Sequence, residues 1–149
     1  MALRRSSHAV YDTQYHLVWS PKYRKGILRG EMRERVAAVF REVGEAYDYE
    51  IAEVEVAADH VHLLLSFPPR YSIAQVVGAL KSLSARVVFR EFPEVRQALW
   101  GGELWEDGYF VRTVGDRVTA RVIQQYIQAH RSGQLRQVQP SLFEDLEEK

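Results

Sequence analysis

Two histidines stand one residue apart in the run Asp59-His60-Val61-His62-Leu63-Leu64-Leu65-Ser66-Phe67. The run is apolar and stops at Pro68-Pro69, which cannot continue a ladder, so it reads as a β-strand. Side chains alternate along a strand, which puts His60, His62, Leu64 and Ser66 on one face. Val61, Leu63, Leu65 and Phe67 share the other, a core face. The two imidazoles then stand side by side with Cα atoms roughly 6.5 Å apart. Held on one rigid element, they can close on a single metal ion. Ordinary surface or hydrogen-bonded histidines have the same spacing, and these residues alone leave both readings open. Near the other end of the chain, Tyr126 and His130 are four residues apart, hence on one helix face about 6 Å apart along the axis. A tyrosine can act as a covalent nucleophile, and a histidine one turn away can complete a metal site begun by His60 and His62. The plain alternative has Tyr126 packed in a core and His130 favoured by the dipole at a helix C-terminus.

The elements that must position these groups follow from periodicity. Residues 1–9 read as a loose basic lead-in. Tyr11 to Ser20 alternates, with Tyr11, Thr13, Tyr15, Leu17 and Trp19 on one face and Asp12, Gln14, His16 and Val18 on the other, a half-buried strand ended by Pro21. Lys22-Tyr23-Arg24-Lys25 follows, three cations around one ring, suited to holding phosphates and stacking a base, or to a solvated loop. Glu31 to Tyr47 carries an apolar stripe of Met32, Val36, Val39, Phe40 and Val43 at helical spacing, with Glu31 and Arg35 placed for an i,i+4 ion pair. Tyr49 to Ala58 is a second strand, with Glu53 and Glu55 opposite Ala52, Val54 and Val56. The turn around Asp59 joins it to the histidine strand as an antiparallel hairpin. Ser72 and Gln75 form a capping box for a helix to about Glu91 that buries Ile73, Val76, Val77, Leu80, Leu83 and Val87, leaving Lys81, Ser82, Arg86 and Arg90 off the stripe. Phe92 to Gly108 reads as an irregular connection anchored by Trp100 and Trp105. Tyr109 to Val114 is a last strand, broken at Gly115-Asp116. Asp116 is a candidate cap for a helix from about Arg117 to His130.

The chain has 149 residues, enough for one domain with one core. Twenty basic and twenty acidic side chains cancel, so no global field points to nucleic acid, although a local patch survives such averaging. There is no cysteine, which excludes disulfides, thiolate catalysis and zinc–thiolate sites and permits a cytoplasmic location. No apolar run reaches membrane-spanning length, and the N-terminus lacks an apolar signal core.

Taken together, the motifs are similar to those of the small single-tyrosine transposases of the insertion sequence 200/605 type, in the HUH endonuclease superfamily. The resemblance rests on Tyr15-His16-Leu17-Val18-Trp19, Pro21-Lys22-Tyr23-Arg24, Asp59-His60-Val61-His62-Leu63-Leu64, Leu80-Lys81, Leu99-Trp100, Gly108-Tyr109-Phe110-Val111 and Tyr126-Ile127, in that order. It spans roughly residues 10–131, which it implies are the transposase domain, with 1–9 and 132–149 as flexible or partner-docking termini. It implies an α+β fold, an antiparallel sheet of about four strands with helices mainly on one face, ferredoxin-like or RNA-recognition-motif-like. It implies an enzyme that cuts single-stranded DNA near hairpins at element ends and rejoins it. Tyr126 would form a 5′-phosphotyrosine, with a divalent metal, magnesium or manganese, held by His60, His62 and His130. His130 departs from the glutamine usual in the family, and imidazole would move the preference toward softer metals. The resemblance also implies a homodimer whose subunits share active sites, a joint at Gly115-Asp116, and Lys22, Tyr23, Arg24, Lys81 and Arg86 as candidate DNA contacts. The rival reading is a domesticated or non-catalytic single-stranded nucleic-acid binder on the same scaffold; a third is a nuclease that uses water.

Overall fold

The computed structural model describes residues 4–6, 9–11, 13–24, 26–99, 102–114 and 127–128. Two short strands, β1 (Arg4–Arg5) and β2 (Val10–Tyr11), pair with each other. The lead-in expected to be loose is therefore partly tied down. Arg4 reaches Glu50 at 2.8 Å and the carbonyl of Ser66 at 3.3 Å, and its guanidinium lies 5.5 Å from the Tyr11 ring centroid.

The main sheet uses β3 (Tyr15–Trp19), β4 (Glu50–Ala57), β5 (His60–Ser66) and β6 (Phe110–Thr113), in the order β4-β5-β3-β6 and antiparallel throughout. Helix α1 (Gly30–Tyr47) links β3 to β4, and α2 (Ile73–Glu91) follows β5. This βαββαβ arrangement is the ferredoxin-like layout, and the expected α+β class with a four-stranded antiparallel sheet is what the chain adopts. β3 and β5 lie at the centre, each held by ladders on both sides.

The helices pack on the face carrying Leu17, Trp19, Val61, Leu63 and Leu65, all fully buried. From α1 come Met32, Val36, Val39, Phe40 and Val43, as the stripe predicted, and from α2 Val76, Val77, Leu80, Ser84 and Val88. Ile73, Leu83 and Val87 of the predicted stripe sit at its margin, partly buried. The capping box at Ser72 is complete, with Gln75 N–H donating to Ser72 Oγ at 3.0 Å and Ser72 N–H donating to Gln75 Oε1 at 2.8 Å. Arg35 does not use Glu31. It binds Glu91 on α2 at 3.0 Å and Glu42 at 2.9 Å, because its position in α1 faces the neighbouring helix.

Further local features differ from the sequence expectation. The β4–β5 register shifts between Ile51 and Glu53, leaving Ala52 as a bulge. Ile51 thereby joins Val54 and Val56 on the core side, where strict alternation would have placed Ala52 instead. The connection after α2 also contains a short helix, α3 (Pro93–Ala98), started by proline at its first position. Beyond it, Trp105 is buried against Trp19 and Phe40, with ring centroids 6.1 and 6.3 Å away. The expected last strand is shorter than predicted, and the expected helix over 117–130, with the Gly115-Asp116 joint, lies outside the described residues apart from helical Ile127–Gln128.

Candidate active site

The face of the sheet away from the helices is built by the alternation that fills the core. With Val61, Leu63 and Leu65 turned to the helices, His60 and His62 must face the other way. His60 is the first residue of β5, just past the two-residue turn Ala58-Asp59. Its Nδ1 lies 2.9 Å from Asp59 Oδ1. A carboxylate only accepts, so the ring proton sits on Nδ1 and the Nε2 lone pair remains. His60 is buried, at 8% exposure, so the pairing with Asp59 fixes the ring.

His62 is half-buried between Glu55 of β4 and Val18 of β3, its direct cross-strand neighbours. Its Nε2 lies 2.7 Å from Nδ1 of His16 on β3, with ring planes 22° apart. Burial pushes the His62 pKa down, and the opposing carboxylates of Glu55 and Glu53 do not cancel this. The His16 pKa is also lowered, first by burial and then by His62 and Arg112, against Glu53. The buried surroundings therefore favour neutral rings, the form in which imidazole binds metals.

His16 was not among the functional residues expected from sequence. The alternation of Tyr15 to Trp19 already put it on the outer face with Val18; what sequence did not supply was that β3 lies directly beside β5. The register His16↔Leu64 and Val18↔His62 makes the two rings diagonal neighbours.

The donor set fits a divalent cation in part. Two neutral imidazoles on one strand, one oriented by a carboxylate, match first-row metals. Among the described residues no group of three or more His, Cys, Asp or Glu side chains is placed to hold an ion. A complete site needs a further ligand, and His130, like Tyr126, lies outside the described residues.

The expected DNA contacts do not gather at one place. Lys22, Tyr23 and Arg24 form a short turn after β3, at the end of the sheet where His60 lies. Tyr23 adopts φ +60° and is 55% exposed, and Lys22 Nζ is 5.9 Å from its ring centroid. The side chain of Arg24 lies outside the description. The same connection returns to the hairpin turn, where Leu28 N–H donates to the Ala58 carbonyl at 3.1 Å. Lys81 is on the helix side of the sheet. Its Nζ donates to the carbonyls of Glu106 at 2.7 Å and Gly108 at 2.8 Å, clamping the loop before β6. Arg86 is exposed on α2 and lines a groove of about 410 Å³ between α1 and α2, on the side of the sheet away from the histidines.

This fold is that of a transposase family. Residues 9–130 match the family described as "Transposase IS200 like", and the chain belongs to it. It is 38% identical over 129 residues to the ISDra2 transposase TnpA of Deinococcus radiodurans, covering 87% of this chain and 91% of that one. It is 37% identical over 121 residues to the transposase for insertion sequence element IS200 of Salmonella typhimurium, covering 81% and 78%. Among solved structures it resembles a Deinococcus radiodurans R1 transposase, with TM-score 0.76 and 38% identity over 85% of this chain and 97% of that one. The REP-associated tyrosine transposase bound to a REP hairpin shares the fold at TM-score 0.51 and 13% identity, over 91% and 77%.

Proposed function

We propose that the chain cuts and rejoins single-stranded DNA at the hairpin-bearing ends of an insertion sequence, through Tyr126. The observation that supports this most directly is the paired imidazoles of His60 and His62 on the sheet face away from the helices, in a member of the IS200-like family. In this reading the Tyr126 hydroxyl gives up its proton and its oxygen attacks the scissile phosphorus. The P–O3′ bond breaks, the 3′ oxygen leaves as a hydroxyl after taking a proton, and the 5′ end stays on the tyrosine. A second 3′-hydroxyl reverses the step, and because the phosphotyrosine keeps the bond energy no nucleotide cofactor is needed.

His60, His62 and His130 are the proposed holders of a divalent metal, magnesium or manganese. When bound it would polarise the scissile phosphate and offset developing charge. Asp59 keeps the His60 ring fixed with Nε2 available. Lys22 and Tyr23 offer a cation and an exposed ring at the His60 end of the sheet, suited to a phosphate and a base; Arg24 belongs to the same turn. Lys81 and Arg86 are assigned to flanking DNA. The working enzyme is a cytoplasmic homodimer whose subunits share active sites, with residues 10–131 as its transposase domain and residues 132–149 flexible or docking on a partner.

The test is incubation with a 5′- or 3′-labelled hairpin oligonucleotide and Mg²⁺ or Mn²⁺, followed by denaturing electrophoresis. A denaturation-resistant adduct that Tyr126→Phe abolishes is the expected result. Cutting without an adduct would mean a water-using nuclease. Binding with neither would mean a non-catalytic module.

A further inference from the structure

We propose that His16 is the positioning residue that decides which nitrogen of His62 faces a cation, with His62 Nε2–H as donor and His16 Nδ1 as acceptor across their 2.7 Å contact. The proposal rests on the metal role given above to His60 and His62, and goes on to specify how that pair is prepared.

The argument is an account of protons. A neutral imidazole carries one N–H and one lone pair. For His60 the account is closed, since Asp59 takes the Nδ1–H and leaves Nε2. For His62 there are two cases, because its Nε2 meets a nitrogen of another ring at 2.7 Å. If His16 donated, the single lone pair of His62 would be consumed at Nε2 and its Nδ1 would hold the proton. His62 would then have nothing to offer a metal. If His62 donates, its Nδ1 lone pair is left over. Only the second case gives two ligands on β5. It also makes His16 do for His62 what Asp59 does for His60: accept the outer N–H and fix ring orientation and tautomer. The proton of His16 then resides on its own Nε2.

The placement suits such a role. His16 is on β3, held between β5 and β6 by its register with Leu64 and Arg112. Its ring is half-buried, and with Nδ1 accepting from His62 and the proton on Nε2 no lone pair is left to bind a cation. His16 therefore acts through His62 and is not itself a ligand.

The test uses the full chain with Mn²⁺ alone as probe, binding being read by calorimetry and by the paramagnetic resonance of free Mn²⁺. His16→Leu removes the acceptor at similar bulk. His16→Asn keeps an oxygen near the position of Nδ1. His16→Leu should weaken Mn²⁺ binding roughly 10- to 100-fold, the usual effect of losing such a partner, while His16→Asn should stay within a few-fold of wild type. Long-range ¹H–¹⁵N spectra of the metal-free wild type should place the His62 proton on Nε2. The proposal is overturned if that proton is on Nδ1, or if His16→Leu binds Mn²⁺ as well as wild type or better. His60→Ala separates the two levels. If it abolishes binding while His16→Leu does not weaken it, the role of His16 falls alone. If it leaves binding unchanged, the metal-site reading falls and takes this one with it. Should His16→Leu fail to fold, the wild-type tautomer decides the matter.

Discussion

Asp59 and His60 are adjacent in sequence, and the turn between β4 and β5 folds the first back onto the second, Oδ1 to Nδ1 at 2.9 Å. A carboxylate supplied by the residue just before the histidine needs no long-range packing to find it. Asp59→Ala should therefore leave the fold intact and free the His60 tautomer. Mn²⁺ affinity should fall roughly 10- to 100-fold, measured by calorimetry beside an unchanged thermal midpoint. Unaltered affinity would count against His60 as an oriented ligand.

The loop before β6 is fixed by a buried polar contact. Trp105 Nε1–H donates to Ser84 Oγ at 2.9 Å, and Ser84 Oγ–H is within bonding distance of the Leu80 carbonyl at 2.6 Å and the Lys81 carbonyl at 3.1 Å. Ser84→Ala strands the indole N–H in the core. The expected loss is about 1–3 kcal/mol, read from urea unfolding. Ser84→Cys should lose less.

Gly44 sits where α1 runs close to the start of β4. A Cβ there would lie 2.9 Å from Ile51 Cδ1 and 3.0 Å from the carbonyl oxygen of Tyr49. The backbone oxygen cannot step aside as a side chain can. Gly44→Ala should cost about 1–3 kcal/mol by overpacking, despite alanine's better helix propensity. Equal or greater stability in the variant would show that α1 and β4 move apart readily.

Acid should destabilise the metal-free protein in a particular window. Burial holds the pKa of His16 and of His62 below the ordinary 6.5. Between those lowered values and 6.5 the unfolded chain binds more protons than the folded one, so stability falls as the pH drops through 6.5. Urea midpoints measured from about pH 7 to about pH 5 should decline, and His16→Asn should flatten the decline. A flat wild-type curve would contradict the burial of the two rings.

Much of this was legible in the chain because local rules and tertiary packing agree. Ser72 and Gln75 announce a helix start that forms as written, and the apolar stripe of α1 is the one that is buried. The run from Val61 to Leu65 fixes which way His60 and His62 face. What was not legible depends on neighbours distant in sequence. Nothing local to Tyr15–Trp19 says that its partner is β5, so the contact of His16 with His62 emerges only with the sheet order. Arg35 has an acceptable partner in Glu31 four residues away, yet Glu91 on α2 wins because the helices pack side by side. Pro93 is a fair signal for α3, but the glycines and tryptophans after it read as an irregular connection. The placement of Tyr126 and His130 rests on spacing and family resemblance.

The bulge at Ala52 has an effect beyond its own strand. It turns Glu50, Glu53 and Glu55 to the same side of β4, which is an edge strand of the sheet among the described residues. A bent margin bearing three carboxylates is a poor template for a strand from a second molecule. Aggregation along that border is discouraged by charge and shape together.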